Sequence, residues 1–322
     1  MAADVVTIGN VSCAPGSVAR GTVDVAKGPD GHPMGFPVVI VNGALPGKRL
    51  CVSAGIHGDE YEGMEAVRRS LQAADPKTLR GALIGLPCVN IPAFEAAARC
   101  SGVDHLNLNR IFPGDKSSTL SMKWAAKFVS DVIPNIDALV DLHTGGGFGE
   151  IVPLVIIQAG FEKLATGIGL AAGNDVIWKG GKWGGTARIS TLEAGKPAIT
   201  VEIGGGGGCD ESTIALHVKV IRNVMRYLNL VDGTPDTPAE YRVVKGTFAY
   251  STAGGFFRKL KSVGEPAKQG EVMAAVVDHY GDELEVFKAP QDGIVLWIRT
   301  RSTTFPGEEA VIFGEIVEKI KP

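Results

Sequence analysis

A chain of 322 residues, 45% hydrophobic and 21% charged, suffices for one large domain, or a large and a small one, around an ordinary soluble core. A formal net charge of −3 argues against nucleic acid as the main partner, because a protein that binds phosphates carries a basic excess. No apolar run is long enough to span a membrane, and the opening MAADVVTIGN lacks the basic and apolar stretches of a secretory signal, so a cytoplasmic protein is expected.

In chain order, GFPVVIVNG (35–43) and RLCVSAG (49–55) read as buried strands bounded by turn residues. EYEGMEAVRRSLQAA (60–74) places Met64, Val67 and Leu71 on one helical stripe. GALIGLPCVN (81–90) is a strand, and IPAFEAAARC (91–100) is expected to be helical with Pro92 in its first turn. Residues 101–118 form a polar loop, and LSMKWAAKFVSDVI (120–133) is an amphipathic helix. IDALVDLHTGGG (136–147) is a strand running into glycine, followed by the strand IVPLVIIQ (151–158) and the helix FEKLATGIGLAAG (161–173). PAITVEIGGGGG (197–208) again runs from strand into glycine, and ESTIALHVKVIRNVMRYLNL (211–230) is a long helix. This alternation predicts an α/β domain around a mostly parallel sheet.

Beyond DGTPDTPAE (232–240) helical patterns stop, and short strands separated by Gly and Pro take over, from YRVVKGTFAY to AVIFGEIVEK. The expected organisation is a large α/β domain over residues 1–235 and a small all-β domain over 236–322. Cys13, Cys51, Cys88, Cys100 and Cys209 are odd in number and lack paired spacing, which fits reduced thiols.

Three strands of the first part end in a polar residue beside glycine: His57, His143 and Glu202. Ligand sites in open α/β sheets gather beyond the carboxyl ends of strands, so these three ends can converge. His57 and Glu60 form an H-x-x-E spacing that supplies two ligands of a catalytic zinc, with His143 as the third. H-x-x-E also arises by chance, with the His closing a strand and the Glu opening a helix. Glu202, in a buried strand, suits a general base, a hydrogen-bond partner of a metal ligand or a salt-bridged residue. His32, His217 and His279 lie away from these strand ends, and His105 falls in the polar loop. GIGLAA (167–172) sits inside a helical pattern and is no dinucleotide site.

Taken in order, AGIHGDEYEG (54–63), LNLNRIFPGD (106–115), DLHTGG (141–146) and VEIGGGG (201–207) resemble the succinylglutamate desuccinylase/aspartoacylase family, a branch of the zinc carboxypeptidase-like superfamily. The resemblance runs from about residue 35 to the end of the chain. It implies a zinc-carboxypeptidase-like central sheet, mixed and mostly parallel, flanked by helices, with a small all-β, barrel-sandwich-like C-terminal domain. It implies one zinc per chain on His57, Glu60 and His143, Glu202 as the catalytic carboxylate, and Asn109 and Arg110 as binders of a substrate carboxylate. A guanidinium fork and a neutral amide donor suit that last task. Aspartoacylase-like members carry a further arginine that polarises the scissile carbonyl. Its place falls on Gly102 here, and Arg99 is the nearest substitute.

KAPQDGIV (288–295) and FPGEEAVIFGEIVE (305–318) resemble biotinyl/lipoyl carrier modules, but the hairpin tip has Asp282 where a carrier has its lysine. The β domain is therefore expected to wall the site or to support a homo-oligomer. The reading is a zinc-dependent amidohydrolase that deacylates a small N-acyl amino acid. A metallocarboxypeptidase acting on peptides and a non-catalytic zinc-binding scaffold are the alternatives.

Overall fold

A computed structural model describes residues 4–180 and 184–321; the first three residues of the opening stretch lie outside the described residues. The strands are β1 (Val6–Ile8), β2 (Val11–Cys13), β3 (Ser17–Lys27), β4 (Pro33–Asn42), β5 (Leu45–Ser53), β6 (Arg80–Leu86), β7 (Ala138–His143), β8 (Gly149–Ile157), β9 (Val176–Lys179) and β10 (Ala198–Gly205). After them come β11 (Tyr241–Tyr250), β12 (Gly255–Lys259), β13 (Pro266–Ala267), β14 (Val272–Val277), β15 (Glu283–Lys288), β16 (Gly293–Arg299), β17 (Thr303–Thr304) and β18 (Glu309–Ile320). The helices are α1 (Tyr61–Ala73), α2 (Ile91–Glu95), α3 (Leu120–Asp131), α4 (Glu162–Ala172), α5 (Ala187–Glu193) and α6 (Glu211–Tyr227).

One twelve-stranded sheet runs in the order β13-β16-β18-β11-β9-β8-β10-β7-β5-β6-β4-β3. Its centre, β6-β5-β7-β10, is parallel, while β3, β4 and β8 join antiparallel to their inner neighbours. The sheet is therefore mixed, as the resemblance implies, but not mostly parallel: parallel pairing is confined to this centre and to β8-β9-β11. The chain returns through hairpin-like pairings at the edges, which the strand–helix alternation does not reveal. Side chains alternate between the two faces of β7. Leu142 meets Gly63 of α1, whereas Asp141 faces the charge of Arg188 on α5. Helices thus cover both faces, with α1 packed on α6 and α3 packed on α5.

After α6 the described residues form strands only, but these strands are not set apart from the rest. β16 also pairs with β8, so β8-β9-β11-β18-β16 closes into a five-stranded ring. Two of its strands precede residue 235 and three follow it. A closed ring leaves no unpaired edge among its members. A four-stranded sheet, β15-β14-β12-β17, covers its own apolar cluster around Phe257, Met273 and Phe287.

Candidate active site

The turn after β5 carries His57, and Glu60 immediately precedes α1. His143 is the last residue of β7, and Glu202 of β10 pairs with it directly across the parallel ladder. Both therefore emerge at the same level of the sheet, at its carboxyl end.

The His57 Nδ1 and His143 Nδ1 atoms lie 2.8 Å from the two carboxylate oxygens of Glu60, and 3.2 Å from each other. One ligand atom from each of the three residues falls within 4.8 Å of the others, and all three residues are buried. The opposite ring nitrogens are already engaged. His143 Nε2 is 2.9 Å from Asp141 Oδ2, and His57 Nε2 is 3.2 Å from Asn107 Oδ1, which also accepts the Asn109 N–H. Acceptors at both Nε2 atoms suit the tautomer that frees Nδ1, and both Nδ1 atoms face inward, as in metal-ligating histidines with outer partners. Ser53 Oγ in turn donates to Asp141 Oδ1 at 2.7 Å. Two lone pairs and a carboxylate converging in a buried pocket fit a divalent cation.

Charge in the site follows from this crowding. Burial works to raise the Glu60 carboxyl, but the two imidazoles beside it hold it well below the usual carboxylate range. Burial lowers His57 to about 4, helped by the Arg99 charge. Burial also acts against charge on His143, but Asp141 and Glu60 outweigh it and hold that ring well above its ordinary value. Glu202 is pushed up to about 8, chiefly by burial. Its carboxyl makes no hydrogen bond or ion pair among the described residues, so a salt-bridged role is not what holds it there.

Of the seven residues singled out in the sequence, all but Glu60 line a cavity of about 530 Å³. Arg99 reaches it because the helix expected over 91–100 stops at Glu95. Ala97 takes a left-handed conformation (φ 47°), and the Ala98 carbonyl accepts the Gly58 N–H, folding the segment back onto the His57 turn. Arg99 Nη1 then donates to Glu60 Oε1 at 3.1 Å and lies 3.2 Å from His57 Nδ1. Asn109 and Arg110 belong to a 3-10 turn, Leu108–Arg110. Asn109 Oδ1 accepts the Ala187 N–H at 3.1 Å, which leaves its amide nitrogen 3.1 Å from His143 Nε2. Arg110 donates to the Asn109 carbonyl at 2.8 Å. His105 is exposed and does not line the cavity.

Sequence reasoning missed Arg188. It lines the cavity, is only 2% exposed, and gives Nη2 to Gln158 Oε1 at 3.0 Å. Its Nε has no partner among the described residues. Burial lowers it to about 10, against the pull of Asp141 and Glu202. The signal that could have found its helix lies at the two ends: Thr186 caps it, accepting the Ile189 N–H, and Gly195 follows its end.

The glycine runs after His143 and Glu202 serve each other. Gly145 donates to Gly204 O, and Gly206 donates to Gly149 O and Gly146 O. Gly205 sits at φ 119°, and a Cβ there would collide with Gly149 O. The ring supplies the facing wall, including Trp178, Phe248, Tyr250, Trp297 and Ile312. The expectation that the β region walls the site thus has a structural counterpart. Asp282 lies at the exposed β14-β15 hairpin, away from the cavity.

Residues 46–228 match the succinylglutamate desuccinylase/aspartoacylase catalytic domain. The chain belongs to this family. It is 29% identical over 298 residues to the N-alpha-acetyl-L-2,4-diaminobutyric acid deacetylase of Halomonas elongata, covering 88% of this chain and 87% of the relative. A crystal structure of a succinylglutamate desuccinylase from Silicibacter sp. TM1040 superposes with a TM-score of 0.87 at 25% identity, covering 96% of this chain and 99% of that one. The product-bound ectoine utilization protein EutE (DoeB) from Ruegeria pomeroyi shares the fold at 24% identity and a TM-score of 0.87, covering 95% and 98%. Family membership and the Halomonas relative support a hydrolytic deacylase. Among the described residues no helix is long and apolar enough to cross a membrane.

Proposed function

We propose that this protein is a zinc-dependent deacylase, with one zinc per chain, that hydrolyses the amide of a small N-acyl amino acid. The observation that carries the reading is the pairing of Glu202 with His143 in one ladder, which puts a buried, unpartnered carboxyl beside a group of donors fit for a metal. His57, Glu60 and His143 would hold the ion. When bound, zinc supplies Lewis acidity, making a water acidic near neutral pH and drawing charge from an acyl oxygen.

The chain's own groups do the rest. Glu202 takes the proton of the attacking water and delivers it to the leaving nitrogen. Arg99 donates to the acyl oxygen as negative charge develops there. Arg110 and Arg188 hold the free carboxylate, with the Asn109 amide beside them. The aromatic side chains of the ring line the cavity together with these groups. The name of the Halomonas relative makes acetyl the acyl group to test first. Five unpaired cysteines fit a reducing cytoplasm.

The test is release of free amine from a panel of N-acetyl and N-succinyl amino acids by zinc-loaded protein. Turnover of at least one, abolished by chelation and restored by zinc, is expected. Hydrolysis of C-terminal peptide bonds without deacylation would replace this reading with a carboxypeptidase.

A further inference from the structure

We propose that Glu309 is a specificity-determining residue that, with the aromatic wall beside it, binds a positively charged ammonium on the side chain of the substrate. The proposal rests on the deacylase reading and names the substrate class within it: N-acyl diamino acids.

The first observation is a break in strand register. β11 pairs with β18 as Phe248↔Ile312, Ala249↔Val311 and then Tyr250↔Glu309, so Ala310 is left over. In a regular strand, residues 309 and 312 would face opposite sides, because their separation is odd. The bulge at Ala310 turns Glu309 to the side of Ile312, and both line the cavity. Bulges beside active sites characteristically re-aim a side chain in this way.

The second observation is a contrast between neighbours. Glu308 is spent on the fold, accepting from Arg299 Nη2 at 2.6 Å and from the Phe305 N–H at 2.9 Å. The Glu309 carboxylate has no partner among the described residues, although its charge is felt by Arg110 and Tyr250.

The third observation is the company it keeps. Trp178 and Phe248 have ring centroids 5.8 Å apart, and Phe248 and Tyr250 are stacked at 6.2 Å with 12° between planes. All three line the cavity. A carboxylate at the end of an aromatic wall is the chemistry that recognises an ammonium. Among the described residues, the remaining charged groups of the lining are the arginines Arg99, Arg110 and Arg188, the histidines His57 and His143 and the proton carrier Glu202. Of the described lining acids, Glu309 is thus the one left over for binding. Arg110 and Glu309 both line the cavity without pairing with each other, so each is left for a ligand that carries a carboxylate and an ammonium.

Two substrates that differ only in the ammonium decide the matter: Nα-acetyl-L-2,4-diaminobutyrate and N-acetyl-L-2-aminobutyrate. The zinc-loaded wild type is expected to favour the first. In Glu309→Gln the ratio of the two specificity constants should fall about tenfold or more, the scale of one charged hydrogen bond. Glu309→Arg should shift preference towards N-acetyl-L-aspartate. Calorimetry with 2,4-diaminobutyrate and 2-aminobutyrate should show the same loss of discrimination in binding, with unfolding curves confirming that both variants fold. A ratio left unchanged by Glu309→Gln, in turnover and in binding, overturns the ammonium site while leaving the deacylase intact. A wild type that hydrolyses none of the three compounds, yet turns over other N-acyl amino acids, also overturns the site alone. One that hydrolyses no N-acyl amino acid removes the deacylase reading and the site with it.

Discussion

The α/β part and the ring meet in one cavity, but they contribute different things. From the α/β part come His57, His143, Glu202 and three arginines, each near a strand end, on a short turn or bend, or, for Arg188, on the short helix α5. The strands after residue 240 contribute aromatic and aliphatic surface and a single acid, Glu309. Bond-breaking chemistry needs groups fixed to a fraction of an ångström, and the carboxyl ends of adjacent parallel strands provide that. Selection needs a wall whose side chains can differ between relatives without disturbing the metal. If this division is right, substitutions in the first region should abolish turnover, and those in the second should redirect or loosen it.

The most severe test removes the metal group. His57→Ala with His143→Ala should reduce zinc from about one per chain to background, since three protein ligands are the usual minimum of a catalytic site. Elemental analysis of the purified protein measures this. Full zinc retained by the double variant would place the metal elsewhere and void the comparison at its root.

Next in size is Glu202→Gln, which should keep the zinc and lower kcat by ~10²–10⁴-fold, the usual contribution of a positioned acid–base group. The same residue predicts a pH effect in the zinc-free protein. Its pKa is raised from 4.5 in the unfolded chain to about 8 in the folded one. The neutral, buried form is therefore favoured below 4.5, and stability is lost as pH rises through 8. Denaturant unfolding should show zinc-free wild type weakening over that window by a few kcal/mol at most, and the Gln variant weakening less. Parallel curves would mean that the Glu202 carboxyl is not desolvated.

Arg110→Ala tests the carboxylate end. It should cost tens-fold in specificity constant on substrates with a free carboxylate and much less on their amides. Equal losses on both would show that Arg110 braces the turn through Asn109 O instead of holding substrate.

How far the site was legible follows from the range of the signals. His57, Glu60, His143 and Glu202 were legible because strand-to-glycine transitions are local and the sheet's parallel order brings such ends together. Arg99 was legible only as the nearest candidate, since its approach depends on the left-handed Ala97 ending α2 early. Arg188 lies on a helix of seven residues, too short to show an apolar stripe, although Thr186 and Gly195 mark its ends. The ring was illegible for a different reason. The pairing of β16 with β8 joins residues about 150 apart, and nothing in either strand's composition names its partner. Glu309 needs both that closure and a one-residue bulge to face the cavity.

The smallest predicted effect falls on the seam between the regions. Trp297 of β16 is 4% exposed, lines the cavity and donates Nε1–H to the Gly145 carbonyl at 2.9 Å, in the glycine loop that follows His143. Gly149 packs against its indole so closely that a Cβ there would collide with the ring. Trp297→Phe keeps an aromatic wall but leaves that carbonyl without its donor, at a cost of about 1–3 kcal/mol in stability. Because the residue touches no reacting group, kcat should change only a few-fold, with KM rising as the wall loosens. Denaturant unfolding and steady-state kinetics on one substrate measure both. A collapse of kcat comparable to that of Glu202→Gln, with stability unchanged, would show that the ring takes part in the chemistry. The division of labour between the two regions would then have to be redrawn around the glycine loop.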